Sequence, residues 1–311
     1  MTETPGSFQS KKAGSSCGAQ LSVILVNYND LAHIEASLSS LQAADLPPAT
    51  EIIVVDNDSS DGSRELVASR FPRVRLVTNR ENVGFPRANN QGAQESHGEF
   101  LLFLNTDTIV PPGALVPLLD LMRADATIGA AGPRLFHGDG DFQVSFGRRV
   151  DFFAQFRQKL ILNPYYRRVL KKGGPLREAG WLSAACLLCR RTAFDAVGGF
   201  DDNFFLYFED IDLCFRIREA GWRLVLVPEA RVFHAGGATT MPRRSASRFE
   251  YRRSQLYFYR KHNSRGSLRL LRFYLGLNVL ALAARGILTG DEGADLRRKY
   301  RRLLAGEGGP Q

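Results

Sequence analysis

Cysteine is scarce in this 311-residue chain, which has only Cys17, Cys186, Cys189 and Cys214. So few in so long a chain exclude a disulfide scaffold and suit a reducing compartment. Cys186 and Cys189 have CxxC spacing, but no second CxxC and no neighbouring His accompanies them. Lying within the apolar string Leu182–Cys189, they are expected to be small buried side chains. Long apolar runs are missing too. The most apolar late stretch, Phe273–Ala284, is bounded by Arg272 and Arg285 and is too short to span a bilayer. Met1–Gln20 is polar and lacks an apolar h-region, so no signal peptide is expected. No serine or cysteine sits on a nucleophile elbow, no His/Cys cluster has zinc spacing, and neither a Walker A nor a GxGxxG motif occurs. These absences predict a cytoplasmic protein and leave open a peripheral position on the inner face of the plasma membrane.

Negative charge is nearly absent from one region. Between Met241 and Arg272 ten basic residues face a single acid, Glu250, and this stretch alone matches the net charge of +9 for the whole chain. A field of that kind suits phosphates, a lipid diphosphate or an anionic membrane surface. Nucleic acid is not the expected partner.

What the chain does have is an alternation of apolar strands and helical segments. Strands are expected at Leu21–Val26, Ile52–Val55, Val74–Val77 and Phe100–Leu104. Helices are expected at Leu31–Leu41, Ser63–Arg70, Pro86–Glu95 and Ala114–Arg123. Continuous apolar strands separated by helices predict an α/β, Rossmann-like, mostly parallel doubly wound sheet. Four segments follow from the pattern: a disordered leader (1–20), a first half (21–135), a second half (136–240) completing one domain (21–240), and a basic amphipathic helical tail (241–311). Within the second half, Phe152–Tyr166 is aromatic, basic and helical in pattern, and two short strands are expected around Pro228. The tail from Ser245 reads as two helices, with Arg244, Arg248 and Arg252 on one face.

Acidic groups punctuate strand ends and a helix start. Asn105-x-Asp107 directly follows Phe100–Leu104, at the carboxyl edge where open α/β sheets bind ligands. Asp107 is the natural ligand for a hard cation holding a diphosphate, because such a cation takes only one or two protein carboxylates. Asp56-Asn57-Asp58 closes another strand; it reads either as an Asx-rich turn or as the rim of a nucleotide pocket. Asn82–Asn90 opens a helix with a Gly-containing turn whose N–H groups could face phosphate, with Arg87 adding charge. Glu209-Asp210-x-Asp212 leads another helix with more acids than capping requires. Asp210 is the candidate general base, Glu209 a supporting acid and Asp212 an anchor. His234 could add an imidazole to the metal shell.

Taken in order, these segments resemble the family 2 glycosyltransferases, inverting nucleotide-sugar enzymes of GT-A fold, and in particular their rhamnosyltransferase-like branch. The resemblance runs from about Leu21 to His234. It rests on Val23-Ile24-Leu25-Val26-Asn27-Tyr28-Asn29, Val54-Val55-Asp56-Asn57, Asn82-Val83-Gly84-Phe85 with Ala88-Asn89-Asn90, and Leu104-Asn105-Thr106-Asp107. Gly198-Gly199-Phe200-Asp201, Phe204-Phe205-x-Tyr207-x-Glu209-Asp210-x-Asp212-Leu213 and His234 complete it. It implies that Asn27, Tyr28, Asp56, Asn57, Gly84, Arg87, Asn89, Asn105 and Thr106 serve the nucleotide sugar, with Asn105 in place of the first acid of the DxD-type motif. It further implies Mg2+ or Mn2+ on Asp107 and His234, Asp210 as catalytic base, and Trp181 and Ala184 on the acceptor side. The implied donor is dTDP-rhamnose or a UDP-sugar, and the acceptor a glycan or a polyprenyl-diphosphate-linked glycan of the cell envelope. Two other readings of the residues stay open: a metal-dependent nucleotidyltransferase, and a non-catalytic adaptor on a membrane surface.

Overall fold

The computed structural model describes residues 20–236, 244–284 and 290–305, with side chains for all of these except 244–246, 282–284 and 290–297. Nearly all of the expected leader, together with Cys17, Gly237 and Arg243, lies outside the described residues. The first half alternates as its apolar pattern predicts: β1 (Leu21–Asn27), α1 (Leu31–Ala43), β2 (Glu51–Asp56), α2 (Ser63–Arg70), β3 (Arg75–Thr78), α3 (Phe85–Gln94) and β4 (Phe100–Asn105). Next come β5 (Thr108–Ile109), α4 (Val116–Ala124), β6 (Ile128–Phe136), β7 (Phe142–Gln143) and β8 (Phe146–Gly147). The aromatic, basic segment forms α5 (Phe152–Arg157), a π-helical turn (Gln158–Leu162) and α6 (Asn163–Leu170). Then follow β9 (Arg177–Glu178), β10 (Trp181–Leu182), β11 (Cys186–Arg190), α7 (Arg191–Ala196), α8 (Glu209–Glu219) and β12 (Arg223–His234). The chain ends in α9 (Arg244–His262), α10 (Arg265–Ala284) and α11 (Gly290–Ala305).

The main sheet runs β3-β2-β1-β4-β11-β6-β12-β5. The strands β3, β2, β1 and β4 are mutually parallel, β12 is parallel to β6, and β11 runs antiparallel between β4 and β6. Register places Asn27 opposite Asp56 and Val26 opposite Asn105. The polar residues that close three apolar strands therefore share one carboxyl edge, where loops can build a ligand site.

Alternation along β1 divides the core between the two sheet faces. Val23 and Leu25 join Leu102 and Leu104 under α1, α2 and α4, through Ile34, Leu38, Val67, Leu118 and Met122. Ile24 joins Leu101 and Phe103 on the other face, under Phe194 of α7 and Leu213 and Ile217 of α8. Phe103 meets Phe200 edge-on at 4.9 Å, which seats the chain entering the 204–211 loop. A third cluster combines Phe204 and Phe208 from that loop with Leu256, Phe258 and Tyr259 of α9 and Leu271 and Leu275 of α10.

Two expectations change. The two strands around Pro228 are one strand, β12, whose pairing with β6 slips between Val227 and Arg231. Proline has no N–H to donate to the ladder, so the strand accommodates it with an irregularity instead of ending. Among the described residues the tail has three helices, not two, and α9 is half core: Ser254, Gln255, Leu256, Phe258 and Tyr259 are buried. Its arginines hid this face, because high charge density masked the apolar and aromatic residues between them. Cys186, Cys189 and Cys214 are free and buried, and burial pushes the thiols of Cys186 and Cys214 up to about 12.

Candidate active site

A cleft of about 1170 Å3 opens along the carboxyl edge and gathers residues from distant parts of the chain. Tyr28 and Asn29 follow β1, Asn57 follows β2, and Asn82 and Gly84 precede α3. Asn105 ends β4, with Thr106 and Asp107 next to it, and His234 ends β12. Trp181 and Ala184 come from β10 and the turn after it, and Glu209 and Asp210 start α8. The two acidic segments, about a hundred residues apart in sequence, thus face one space.

Asp107 and His234 form one end. His234 Nε2 lies 3.2 Å from Asp107 Oδ1, and Gly236 N–H donates to Asp107 Oδ2 at 3.1 Å. β5 pairs with the end of β12, Thr108 opposite His234, and so fixes this approach. Burial works to raise the Asp107 carboxyl, but the hydrogen bond and charge of His234 outweigh it and hold the carboxyl below its ordinary range. Gln143 Oε1 is 2.8 Å from His234 Nδ1. An amide oxygen only accepts, so Nδ1 carries a proton; Nε2 donates to Asp107 when it too is protonated, and in the neutral ring it offers its lone pair to a cation placed between the two. Asn105 Nδ2 also approaches Nε2, at 3.2 Å. A carboxylate oxygen and an imidazole lone pair at this spacing fit a divalent cation. Among the described residues no cluster of three or more His, Cys, Asp or Glu converges, so the remaining ligands of such a cation would come from substrate and water.

Asp210 forms the other end. Ile211 N–H donates to its Oδ1 at 2.8 Å and Ala184 N–H to its Oδ2 at 3.1 Å. These bonds fix the carboxylate in rotation and favour its charged form, yet burial prevails and raises its pKa. Glu209 is buried beside it, and burial followed by the charge of Asp210 pushes its carboxyl well above the ordinary range. Tyr207 and Phe208, immediately before these acids, both have left-handed backbones, with φ of 70° and 68°. Non-glycine residues hold that conformation only where packing imposes it. Here the aromatic packing of Phe208 against Phe258 and Tyr251 imposes it.

Among the other expected residues, Asn27, Asp56, Arg87, Asn89 and Asp212 stand outside the cleft lining. Asn27 and Asp56 are buried beneath it: Asn27 Nδ2 donates to Asp56 Oδ2 at 2.7 Å, and Asp56 Oδ1 accepts from Ser59 N–H at 3.0 Å. They hold the turn that presents Asn57. Thr106 reaches the rim, and its hydroxyl donates to Asp30 Oδ2 at 2.6 Å. Gly84 has φ of +88°, and a Cβ there would stand 2.8 Å from Phe205 O. That close approach lets Phe85 N–H donate to Phe205 O at 2.9 Å, tying the first turn of α3 to the loop before Asp210. This N–H is spent within the protein, and Pro86 has none, so the expected phosphate cradle is largely closed. Arg87 pairs with Asp202 at 3.6 Å beside a separate hollow, and Asn89 is buried against Phe85 O. Asp212 is fully buried and bound by Arg216, Lys261 and His262, each at 2.7 Å. Sequence reasoning missed Gln143, which orients His234, and Gln155, Gln158 and Tyr251, which line the cleft. None lies in a motif, and only tertiary packing brings them there.

The chain matches the model of Glycosyl transferase family 2 over residues 22–198. It is 34% identical over 234 residues to the N-acetylglucosaminyl-diphospho-decaprenol L-rhamnosyltransferase of Mycobacterium tuberculosis, covering 69% of this chain and 75% of that protein. It is 24% identical over 206 residues to the O-antigen chain rhamnosyltransferase WbaN of Salmonella anatum, covering 64% and 60%. Among solved structures, the mannosyltransferase PcManGT from Pyrobaculum calidifontis, in complex with GDP-Man and Mn2+, superposes with a TM-score of 0.57 at 19% identity. The match covers 95% of this chain and 88% of that one, a likeness in fold. With the family model spanning more than half of its length, this chain is a GT-A-fold enzyme and belongs to glycosyl transferase family 2, in its rhamnosyltransferase-like branch.

Proposed function

We propose that this enzyme transfers a hexosyl group, with rhamnose from dTDP-rhamnose favoured over a UDP-sugar, to a hydroxyl of a polyprenyl-diphosphate-linked glycan with inversion at the anomeric carbon. The observation that carries the reading is Asp210, held by two backbone N–H groups in the cleft that also contains Asp107 and His234. The printed names of the rhamnosyltransferase relatives support the sugar, and that of the Mycobacterium tuberculosis relative supports the lipid diphosphate acceptor. Asp107 and His234 would hold Mg2+ or Mn2+, which would offset the charge developing on the leaving diphosphate. Asn57, Tyr28 and Asn105 face the donor side, and Trp181 and Ala184 the acceptor side. Asp210 takes the proton of the acceptor hydroxyl as that oxygen attacks the anomeric carbon, and the bond to the diphosphate oxygen breaks on the opposite face. Its raised pKa makes it a stronger base than an exposed aspartate. No described helix is long and apolar enough to cross a membrane, which accords with a peripheral position against a lipid-borne acceptor.

The test is a donor panel scored by release of nucleoside diphosphate, with and without Mn2+, on wild type and Asp210→Asn. Wild type should select a deoxyhexose donor and lose turnover on metal chelation. Asp210→Asn should lose roughly 10²–10⁴-fold in turnover, the usual worth of a positioned base, and keep donor binding. Near-normal turnover in that variant would overturn the base assignment, and a triphosphate-dependent reaction would favour a nucleotidyltransferase.

A further inference from the structure

Two helices carry apolar stripes that stay largely exposed. On α10, Leu270, Phe273, Leu277 and Leu280 recur at three- and four-residue spacing and so share one face. Phe273 is 68% exposed and Leu280 67%. The other face of the same helix, through Leu271 and Leu275, is buried in the third core cluster. On α5 and the π-helical turn, Phe153, Phe156 and Leu160 repeat the spacing, with Phe153 72% and Leu160 69% exposed. Tyr274 joins the stripes: its ring lies 6.0 Å from that of Phe156, and Leu270 and Leu277 are one turn away along α10.

The charge carried by the segments that bear these stripes has one sign. Residues 152–172 hold Arg157, Lys159, Arg167, Arg168, Lys171 and Lys172, and residues 265–284 hold Arg265, Arg269 and Arg272; neither segment contains an acid. Lys171 is paired with Asp141, whereas Arg157, Lys159, Arg168 and Arg269 are exposed. Apolar side chains beside segments of net positive charge complement an anionic lipid interface. Gln155, Gln158 and Lys159 of the same segment line the cleft, so the surface adjoins its mouth.

We propose that α5, the π-helical turn and α10 together dock this enzyme in the plane of an anionic bilayer, setting the cleft mouth at the headgroup level. This deepens the reading of a lipid-borne acceptor, on which its purpose rests, and places membrane contact on named residues on both sides of the basic helix α9. Full-length protein is floated with vesicles of phosphatidylglycerol and phosphatidylcholine, and with phosphatidylcholine alone. Co-flotation is expected with the anionic vesicles only. It should fall at least tenfold in Phe273→Asp/Leu277→Asp and in Phe153→Asp/Leu160→Asp, and should weaken in Arg167→Gln/Arg168→Gln, with circular dichroism confirming native helicity in each. Binding unchanged in both apolar pairs, equal binding to neutral vesicles, or no binding by wild type would each overturn the proposal. So would a wild-type oligomer that ignores vesicles and becomes monomeric in the apolar variants, which would make the face a protein interface. Vesicle binding is scored without turnover, so its absence in wild type sinks this proposal alone, and failure of donor turnover on a water-soluble acceptor sinks the functional reading alone.

Discussion

Glu209 and Asp210 are neighbours in the first turn of α8, and burial raises both of their carboxyls. A raised folded-state value means that the native protein binds protons more readily than the unfolded chain does. The stability these groups contribute is therefore complete below the ordinary carboxylate range and is lost as pH rises through their folded values. Glu209→Gln, which mimics the protonated acid, should flatten the decline of Tm with rising pH; an unchanged profile would argue against a protonated Glu209. Activity has the opposite slope, because a base must be ionised. The acid limb of kcat/KM should fall above the ordinary aspartate range and disappear in Asp210→Asn. The positions of Asp107, Asp210 and His234 were legible because each stands just after a strand, at the start of a helix or at a strand end, where a polar residue has few packing reasons to stand. The role of Gln143 was not, since nothing in a two-residue strand marks it as the partner of a histidine 91 residues away.

At the level of elements, α8 and α9 are locked through one buried carboxylate. Asp212 accepts from Arg216 on its own helix and from Lys261 and His262 on α9, and although burial opposes ionisation these partners hold its carboxyl below the ordinary range. Here the stability is present above the ordinary aspartate value and is lost as pH falls through the depressed one. His262→Ala should cost about 1–3 kcal/mol in chemical denaturation, the penalty of leaving part of a buried polar group unsatisfied. It should lower kcat more than donor KM, because α8 carries Asp210 but none of the donor edge. Unaltered stability would show that the lock is slack. The sequence marked Asp212 as an anchor by its position in a first turn. It could not name the anchor's partners, because α9 reads as a solvated cationic helix until its aromatic face is seen against Phe208 and Phe215.

For the whole molecule, the third core cluster means that the loop before α8 and the C-terminal helices fold as one body. A chain ending at residue 243 would expose the surface that Leu256 and Phe258 now fill, each worth about 1.5–3 kcal/mol when buried. That truncation should melt at least ten degrees lower or fail to remain soluble, whereas a freely appended tail would leave Tm unmoved. The alternation of strands and helices, the carboxyl edge and the acids along it follow from the sequence alone, because apolar runs punctuated by polar residues specify local structure and edge position. Tertiary structure decided the rest. The charge of the last seventy residues pointed to a surface, but burial divides it: α9 turns inward against the loop that precedes Asp210, and the apolar stripes of α5 and α10 are left facing out. Charge counts cannot make that division, because which face of a helix is covered depends on what the rest of the chain packs against it.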